Sequence, residues 1–215
     1  MTPIYLPPNA TVLIAGMKRQ PPEWIKEFGW SIFTPDGCIS GRGINKGLPC
    51  EMAFKLPYRP GQVCYVPEVW CLYQTLNMRH IHDGRAFDEI SDGMYGYKAD
   101  GFDTIQDFKD HIRLISDSSF LDIFVKDDKW QSPALMPSRA ARRFVRILTV
   151  EPMQVKDVGE EDAIKAGVLL LSDPSGEANW SIGFTKACLQ KWWHLKHPGK
   201  EWAWTVRVEN TGREG

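Results

Sequence analysis

The stretch of sequence that decides the fold spans residues 57–70 and reads PYRPGQVCYVPEVW. The Pro60-Gly61 pair marks a turn, and the residues after it are rich in Val, Tyr, Cys and Trp. Such side chains suit a pleated, buried surface, so we predict a central strand over residues 62–73. Pro67 has no backbone N–H, which limits how far one side of this strand can pair.

Upstream of this stretch the pattern predicts further β structure. A short apolar run over residues 11–15 ends at Gly16 and predicts a strand. Residues 29–39 alternate around Pro35-Asp36-Gly37, which is typical of a β-hairpin. We expect the glycines that follow to form a loose loop, namely Gly41, Gly43 and Gly47.

Downstream the composition changes, and the change predicts an insertion. Residues 74–130 are rich in Asp, Gly, His and Ser, and we expect an irregular insertion or lid rather than a separate domain. Apolar residues from Ile105 to Ile115 recur at helical spacing and predict a helix over residues 104–115. Further along we predict strands over residues 140–150 and 202–209, and helices over residues 159–166 and 184–195.

Many short strands with a few helices between them indicate a mixed α+β fold built on a small β-barrel. We therefore assign residues 1–215 to a single domain that carries the insertion at 74–130. Glu151 and Pro152, which follow the predicted strand over 140–150, are expected to end or bend it.

Composition excludes several classes of protein. Of 215 residues, 43% are hydrophobic and 25% are charged, which is a globular composition and argues against disorder. Lys and Arg total 26 against 27 Asp and Glu, so a wholly basic nucleic-acid binder is excluded, whereas a local basic patch is not. We see no apolar run long enough to span a membrane and no secretory signal, and we expect a cytoplasmic protein with reduced cysteines.

Arginines cluster in one stretch of the sequence. Residues 138–149 read SRAARRFVRILT, and no acidic residue lies between Lys129 and Glu151. The rigid fork of donors in arginine suits phosphate oxygens, so this cluster is a candidate nucleic-acid or phosphate contact. In a strand over 140–150, Arg142 and Arg146 would share one face and Arg143 would point to the other. The alternative for the cluster is a solvated edge paired with the Asp-rich insertion. The candidate contacts here are Arg139, Arg142, Arg143 and Arg146.

Other motifs point to chemistry less strongly. The sequence has no nucleophile elbow, zincin motif, phosphate loop or EF-hand. His80 and His82 would share one face of an extended segment and, with Asp83, are a weak metal candidate for which no third ligand at fixed spacing is evident. His194 and His197 flank a predicted helix end, where a protonated imidazole is favoured by the helix dipole. We expect no metal and no cofactor.

Five segments in order resemble phage and prophage proteins with an ASCH, PUA-like domain. The stretch at 57–70 is similar to that family's PGDRLWVRETW, and residues 97–101, YKADG, are similar to its YRADG. Residues 130–143, 160–168 and 202–204 resemble its W-x-PSIHMPRWASR, SEEDAxAEGV and NPWVWV segments. The resemblance spans roughly residues 10 to 209, and it implies a PUA-like barrel with a cleft for RNA or a modified nucleoside.

One small bacterial relative in that family is an acetylcytidine amidohydrolase that uses a Lys, a Thr three residues later and a Glu before a Gly. Residues 15–18, AGMK, keep the lysine as Lys18, but the Thr position falls on Pro21 and the Glu position on Ala166. Amide hydrolysis needs one group to activate water and another to protonate the leaving nitrogen, so the resemblance favours binding without catalysis. If the chain is an enzyme, Lys18 and Glu68 are its candidate catalytic residues.

We therefore expect a phage-encoded protein that binds RNA or a nucleotide in a cleft. Lys18, Glu68, Arg142 and Arg146 would line that cleft, with Trp70 as a wall on which a base stacks. For Glu68 the alternative is an ion pair with an arginine that holds the fold together. Two other functions stay open: a module that binds a host protein through residues 74–130, and an amidohydrolase acting on an acylated nucleoside.

Overall fold

The computed structural model describes residues 1–6, 10–30, 37–82, 85–90, 93–116, 121–166 and 184–212. Contacts divide the chain into two compact units. The first, which we call the split unit, consists of Met1–Cys64 and Arg143–Gly215. The second, the inserted unit, consists of Tyr65–Arg142. The inserted unit encloses the segment 74–130 that the sequence singled out, with wider bounds at both ends.

Two sheets form the split unit, and the pairs β11–β12, β12–β2, β3–β4 and β4–β5 are antiparallel. The first has five strands in the order β1-β6-β11-β12-β2. The second has three strands in the order β3-β4-β5. The strands of this unit are β1 (Thr2–Pro3), β2 (Val12–Gly16), β3 (Ile25–Trp30), β4 (Cys38–Asn45), β5 (Leu48–Lys55), β6 (Val63–Tyr65), β11 (Phe144–Gln154) and β12 (Trp202–Asn210).

The predicted hairpin over residues 29–39 is confirmed by the pairing of β3 with β4, in which Trp30 lies opposite Ile39. Its turn, residues 31–36, lies outside the described residues. The prediction of a loose loop at the glycines is wrong, because Gly41 and Gly43 lie within β4. A Cβ on Gly43 would stand 1.7 Å from the carbonyl oxygen of Trp24, so only glycine allows the two backbones to approach this closely. Gly47 turns the chain into β5 with a φ of +82°.

Two helices pack on the five-stranded sheet. Helix α2 (Glu160–Lys165) and helix α3 (Phe184–Lys196) confirm two sequence predictions. Leu189 of α3 packs with Val158 and Ala163 against Ile14 of β2. Trp193, which is fully buried, packs with Val155 and Ala203 and donates its indole N–H to the carbonyl of Lys200. The C-terminal end of α3 is thus fixed beside β2 and β12.

The inserted unit has its own sheet and helix. A sheet in the order β10-β7-β8, with β9 also pairing β7, is covered by helix α1 (Ile105–Ile115), which is capped by Thr104 in a capping box. Phe108 of α1 packs with Cys71, Ile123 and Val125 of the sheet. The expectation of an irregular insertion is therefore wrong. The strands are β7 (Trp70–His82), β8 (Arg85–Ile90), β9 (Met94–Tyr97) and β10 (Leu121–Val125).

The architecture is mixed α+β and rich in strands, as the sequence predicted. Two predicted strands have other bounds. The central strand over 62–73 is divided into β6 and β7, because the chain around Pro67 leaves the ladder. The strand over 140–150 begins at Phe144 and continues through Glu151 and Pro152 to Gln154, with a bulge between Ile147 and Thr149.

Candidate functional site

Residues 17–20 form a loop after strand β2 that carries two cations, and we call it the tethered loop. Met17 is buried and anchors the start of the loop. The Gln20 amide donates to the carbonyls of Met17 and Trp202, each at 3.2 Å, and accepts the Trp202 N–H at 2.8 Å. Between these anchors Lys18 and Arg19 are exposed. The loop backbone is therefore fixed at both ends, while the side chains of Lys18 and Arg19 extend into solvent.

A third cation comes from a different sheet. Lys55 is the last residue of β5 and is exposed, whereas its neighbour Phe54 is buried and packs its ring 5.7 Å from that of Phe28. Strand alternation sends successive side chains to opposite faces, so burying Phe54 turns Lys55 outward.

These three cations line one cavity of about 450 Å³ within the split unit. Phe54 and Trp204 contribute to its apolar wall, and Trp204 is only 3% exposed. Pockets that bind small ligands span about 300–1,000 Å³, so the cavity has the size of such a site. Cationic groups beside a rigid apolar wall suit an anionic ligand that also has a flat apolar part.

The cavity is electropositive because its described lining contains Lys18, Arg19 and Lys55 but no Asp or Glu. None of the three cations lies within ion-pair distance of a carboxylate among the residues that the structure describes. Sequence reasoning selected Lys18 through the family resemblance but missed Lys55, which lies 37 positions away and carries no local motif.

Arg142 belongs to a different kind of cluster, in the inserted unit. Its Nε and Nη2 donate to the two carboxylate oxygens of Glu68 at 3.0 and 3.2 Å, and its Nη1 donates to Asp100 at 2.6 Å. The guanidinium also lies over the Tyr97 ring, 4.1 Å from its centroid. Tyr97 in turn donates its hydroxyl to the carbonyl of Ala140. All three nitrogens of Arg142 therefore have acceptors inside the protein.

The role of this cluster is to stabilise the fold of the inserted unit. Burial opposes the charge of Arg142, but hydrogen bonds to Glu68 and Asp100 outweigh it and raise the pKa of the guanidinium. The Glu68 side chain is 7% exposed, so the ion pair that the sequence left as an alternative for Glu68 is the one present. Trp70 is 9% exposed and donates its indole N–H to Ser132 at 3.3 Å, which places it in the interior of the inserted unit.

The remaining arginines are spread along the chain. Arg139 is exposed in the 3-10 turn Ser138–Ala140, Arg143 lies in the segment before β11, and Arg146 lies in β11 opposite Glu209. Because Arg142 precedes the strand, the expected face shared by Arg142 and Arg146 is wrong. None of these arginines is in the described lining of the 450 Å³ cavity.

Of the three positions that the resemblance implies for catalysis, the Thr and Glu positions hold no reactive group. Pro21 is buried just after the tethered loop, and Ala166 is the C-terminal cap residue of α2. The nearby carboxylates of α2 are engaged elsewhere, since Glu161 pairs with Lys165 at 2.5 Å and Asp162 pairs with Arg207 at 3.2 Å.

The histidine expectations have mixed outcomes. The side chains of His80 and His82, and all of Asp83, lie outside the described residues, and within those residues no group of three His, Cys, Asp or Glu could hold a metal ion. His194 lies in the last turn of α3. Burial, followed by the charge of Lys200, lowers the pKa of His197, so the protonated cap expected there is disfavoured.

Cysteine positions exclude one disulfide. Cys38 lies opposite Lys55 and Cys50 lies opposite Gly43, so the two are five positions out of register along β4. At about 3.4 Å per residue this offset is too long for a disulfide. All five cysteines are free.

Comparison with protein-family models, with curated proteins and with solved structures finds no match to this chain. None of the helices in the described part of the chain combines the length and the apolar character needed to cross a membrane.

Proposed function

We propose that this protein binds a nucleotide or RNA through the cavity lined by Lys18, Arg19 and Lys55, without catalysing a reaction. The observation that carries the proposal is the meeting of three cations, none of them in an ion pair among the described residues, at one cavity whose described lining has no carboxylate. The resemblance to phage-encoded ASCH, PUA-like proteins supports the same ligand class and forms part of the proposal.

The chemistry of the lining favours phosphate over a carboxylate metabolite. Arg19 offers a planar fork, and the two lysines offer compact charges, which together can contact several oxygens of one phosphate group. The exposed apolar residues of the lining, Ala53 and Pro57, can contact a base or ribose beside that phosphate. The cavity volume of about 450 Å³ fits one nucleotide unit.

A calorimetric titration with uridine 5′-monophosphate tests the proposal, with uridine as the uncharged comparison. We expect binding that weakens with salt, is absent for uridine, and falls about tenfold in each of Lys18→Gln and Lys55→Gln, because each removes one charge-assisted contact. Lys46→Gln is the matched control, since Lys46 is an exposed lysine of the same unit at the β4–β5 turn. Equal binding by all three variants, or no binding at low salt, would refute the proposal.

The non-catalytic part has its own test. Pro21 has no hydroxyl and Ala166 has no carboxylate, so Lys18 has no partner at either position for proton transfer. We expect no acetate release from N4-acetylcytidine above the rate in buffer. Turnover that disappears in Lys18→Gln would instead establish the amidohydrolase alternative.

A protein partner for the inserted unit is the second candidate function. Leu114 and Ile115 at the end of α1 are 79% and 63% exposed, and Asp110 lies on the same helix one turn earlier. The inserted unit holds 13 Asp and Glu against 9 Lys and Arg, so a partner would carry a basic surface with an apolar centre. Loss of capture from host lysate in a Leu114→Ser/Ile115→Ser variant, with the Lys18→Gln variant unaffected, would favour this candidate.

A further inference from the structure

A second basic segment adjoins the tethered loop. The turn after α3 runs from His197 to Lys200, closed by a hydrogen bond from the Lys200 N–H to the His197 carbonyl at 3.1 Å. The His197 ring lies against Gly16, about 3.6 Å from where a Cβ would stand, and Gly16 is part of the cavity lining. Two residues beyond Lys200, the backbone of Trp202 is bound by Gln20 of the tethered loop. This turn and the loop therefore lie side by side.

The segment that supplies this turn is rich in cations. No acidic residue occurs between Glu177 and Glu201, which is a longer acid-free stretch than the arginine cluster. Lys191, His194 and Lys196 of α3 are exposed, and Lys200 is half-buried. Among the described residues none of these lysines lies within ion-pair distance of a carboxylate.

Cations at the end of a helix also stabilise its dipole, and this effect alone would account for Lys196. It does not account for Lys200, which lies beyond the helix, nor for Lys191, which lies five residues before Lys196, about 7.5 Å back along the axis. The positive charge of this segment therefore extends past the helix end to Lys200, while Lys191 lies about 140° around the helix from Lys196, on a different face. The turn that carries Lys200 adjoins the loop that carries Lys18 and Arg19, because His197 contacts Gly16 and Gln20 binds the backbone of Trp202.

We propose that the ligand is a single-stranded nucleic acid that places one nucleotide in the cavity and continues over Lys200 and Lys196 onto α3. This inference rests on the proposed function and names its ligand class. A free mononucleotide would use Lys18, Arg19 and Lys55 alone, whereas a strand would also contact the turn and the helix end. The half-buried His197 ring, packed 4.3 Å from the fully buried Trp193, offers an aromatic surface at the junction.

The test compares two ligands and two double variants. The ligands are uridine 5′-monophosphate and an oligouridylate of about ten nucleotides, which is within the range that one small single-strand binding fold covers. The first variant is Lys196→Gln/Lys200→Gln. The matched control is Lys26→Gln/Lys46→Gln, which removes the same charge from exposed lysines of the same unit. Circular dichroism of each variant checks that the fold is kept.

We expect the wild type to bind the oligonucleotide at least tenfold more tightly than the monophosphate. In Lys196→Gln/Lys200→Gln the oligonucleotide affinity should fall about tenfold and its salt slope should decrease by about 1.4, while monophosphate affinity stays the same. The control variant should change neither. These results would support a strand that runs onto α3.

Four outcomes overturn the inference in distinguishable ways. Equal affinities for the two ligands, with both lost in Lys18→Gln, would leave the proposed function standing and restrict the ligand to one nucleotide. Equal weakening by the control variant would show a diffuse charge effect. Equally tight binding of polyglutamate would show that any polyanion is accepted. If neither nucleotide binds, the proposed function itself fails.

Discussion

Arg142 in the inserted unit donates from all three of its nitrogens to Glu68 and Asp100, whereas Lys18, Arg19 and Lys55 in the split unit face a cavity without a described carboxylate in its lining. The overall charge of the two units follows the same division. Residues 65–142 hold 13 acidic and 9 basic residues, and the rest of the chain holds 14 and 17. The difference shows that a cation indicates a binding site when no carboxylate of the protein pairs with it. The number of cations in a stretch of sequence is a poorer guide, since Arg142 lies in the densest arginine cluster and is paired.

The largest expected effect tests whether the Arg142 ion pairs stabilise the inserted unit. Arg142→Ala leaves the buried Glu68 carboxylate without its cation, and we expect the free energy of unfolding to fall by about 3 kcal/mol. Arg139→Ala, three residues earlier at an exposed position, should change it by less than about 0.5 kcal/mol. Urea denaturation followed by tryptophan fluorescence measures both. Similar values for the two variants would remove the distinction between them.

Cysteine reactivity sharpens the contrast between interior and surface. Burial raises the pKa of Cys71 to about 11, against an ordinary value of 9.0, so at pH 8 its thiolate is about a hundredfold scarcer. We expect iodoacetamide to modify the half-buried Cys38, Cys50 and Cys188 first, while Cys71 reacts only after unfolding. Peptide mass spectrometry over a time course follows each site.

The same thiol sets a pH limit on stability. Because the folded pKa of Cys71 is raised, its contribution is complete below about pH 9 and is lost as the pH rises towards 11. We expect a lower urea midpoint at pH 10 than at pH 8, and a smaller difference in Cys71→Ala, which has no thiol to ionise. An unchanged difference in that variant would assign the loss to other groups.

A substitution of Arg19 tests whether the cations of the cavity bind a ligand. Arg19→Gln should weaken uridine 5′-monophosphate about tenfold, since it removes the only planar fork from the described lining of the cavity. The unfolding free energy should stay the same, because Arg19 is exposed and has no ion pair among the described residues. Calorimetry and urea denaturation of one sample give the two numbers, and a stability loss without an affinity loss would contradict the assignment.

The smallest expected effect concerns a buried group without a partner. The Thr149 hydroxyl is buried and has no hydrogen-bond partner in the described part of the chain. Thr149→Val removes that hydroxyl while keeping the branched shape, and we expect a gain of about 1 kcal/mol in unfolding free energy. Thr149→Ser keeps the hydroxyl and should show no gain. A loss in the valine variant would mean that the hydroxyl has an acceptor.

Local patterns predicted the local structure. The apolar spacing from Ile105 to Ile115, with Thr104 ahead of it, predicted α1, and the alternation after Trp202 predicted β12. These signals work because helix and strand periods are written within a few residues. The same reasoning took residues 74–130 as irregular, since strands β7 to β10 pair across loops and their polar positions mask the alternation.

The candidate site was harder to predict because its parts are distant in sequence. Lys18 and Lys55 meet only through the packing of two sheets, and Arg142 finds Glu68 across 74 positions. No composition or spacing rule distinguishes a paired arginine from a free one. The absence of acidic residues before Glu201 was visible in the sequence, and it would have directed attention to Lys196 and Lys200.

The ion pair between Glu68 and Arg142 links the start of the inserted unit to its end. On the other side of the junction, Gln62 and Ile147 are also hydrogen-bonded, so the chain leaves and re-enters the split unit at neighbouring positions. Such a junction makes the inserted unit exchangeable. A few glycines in place of residues 65–142 would close the split unit without stretching it, and evolution could lengthen, replace or delete that cassette while the cavity around Lys18 is kept.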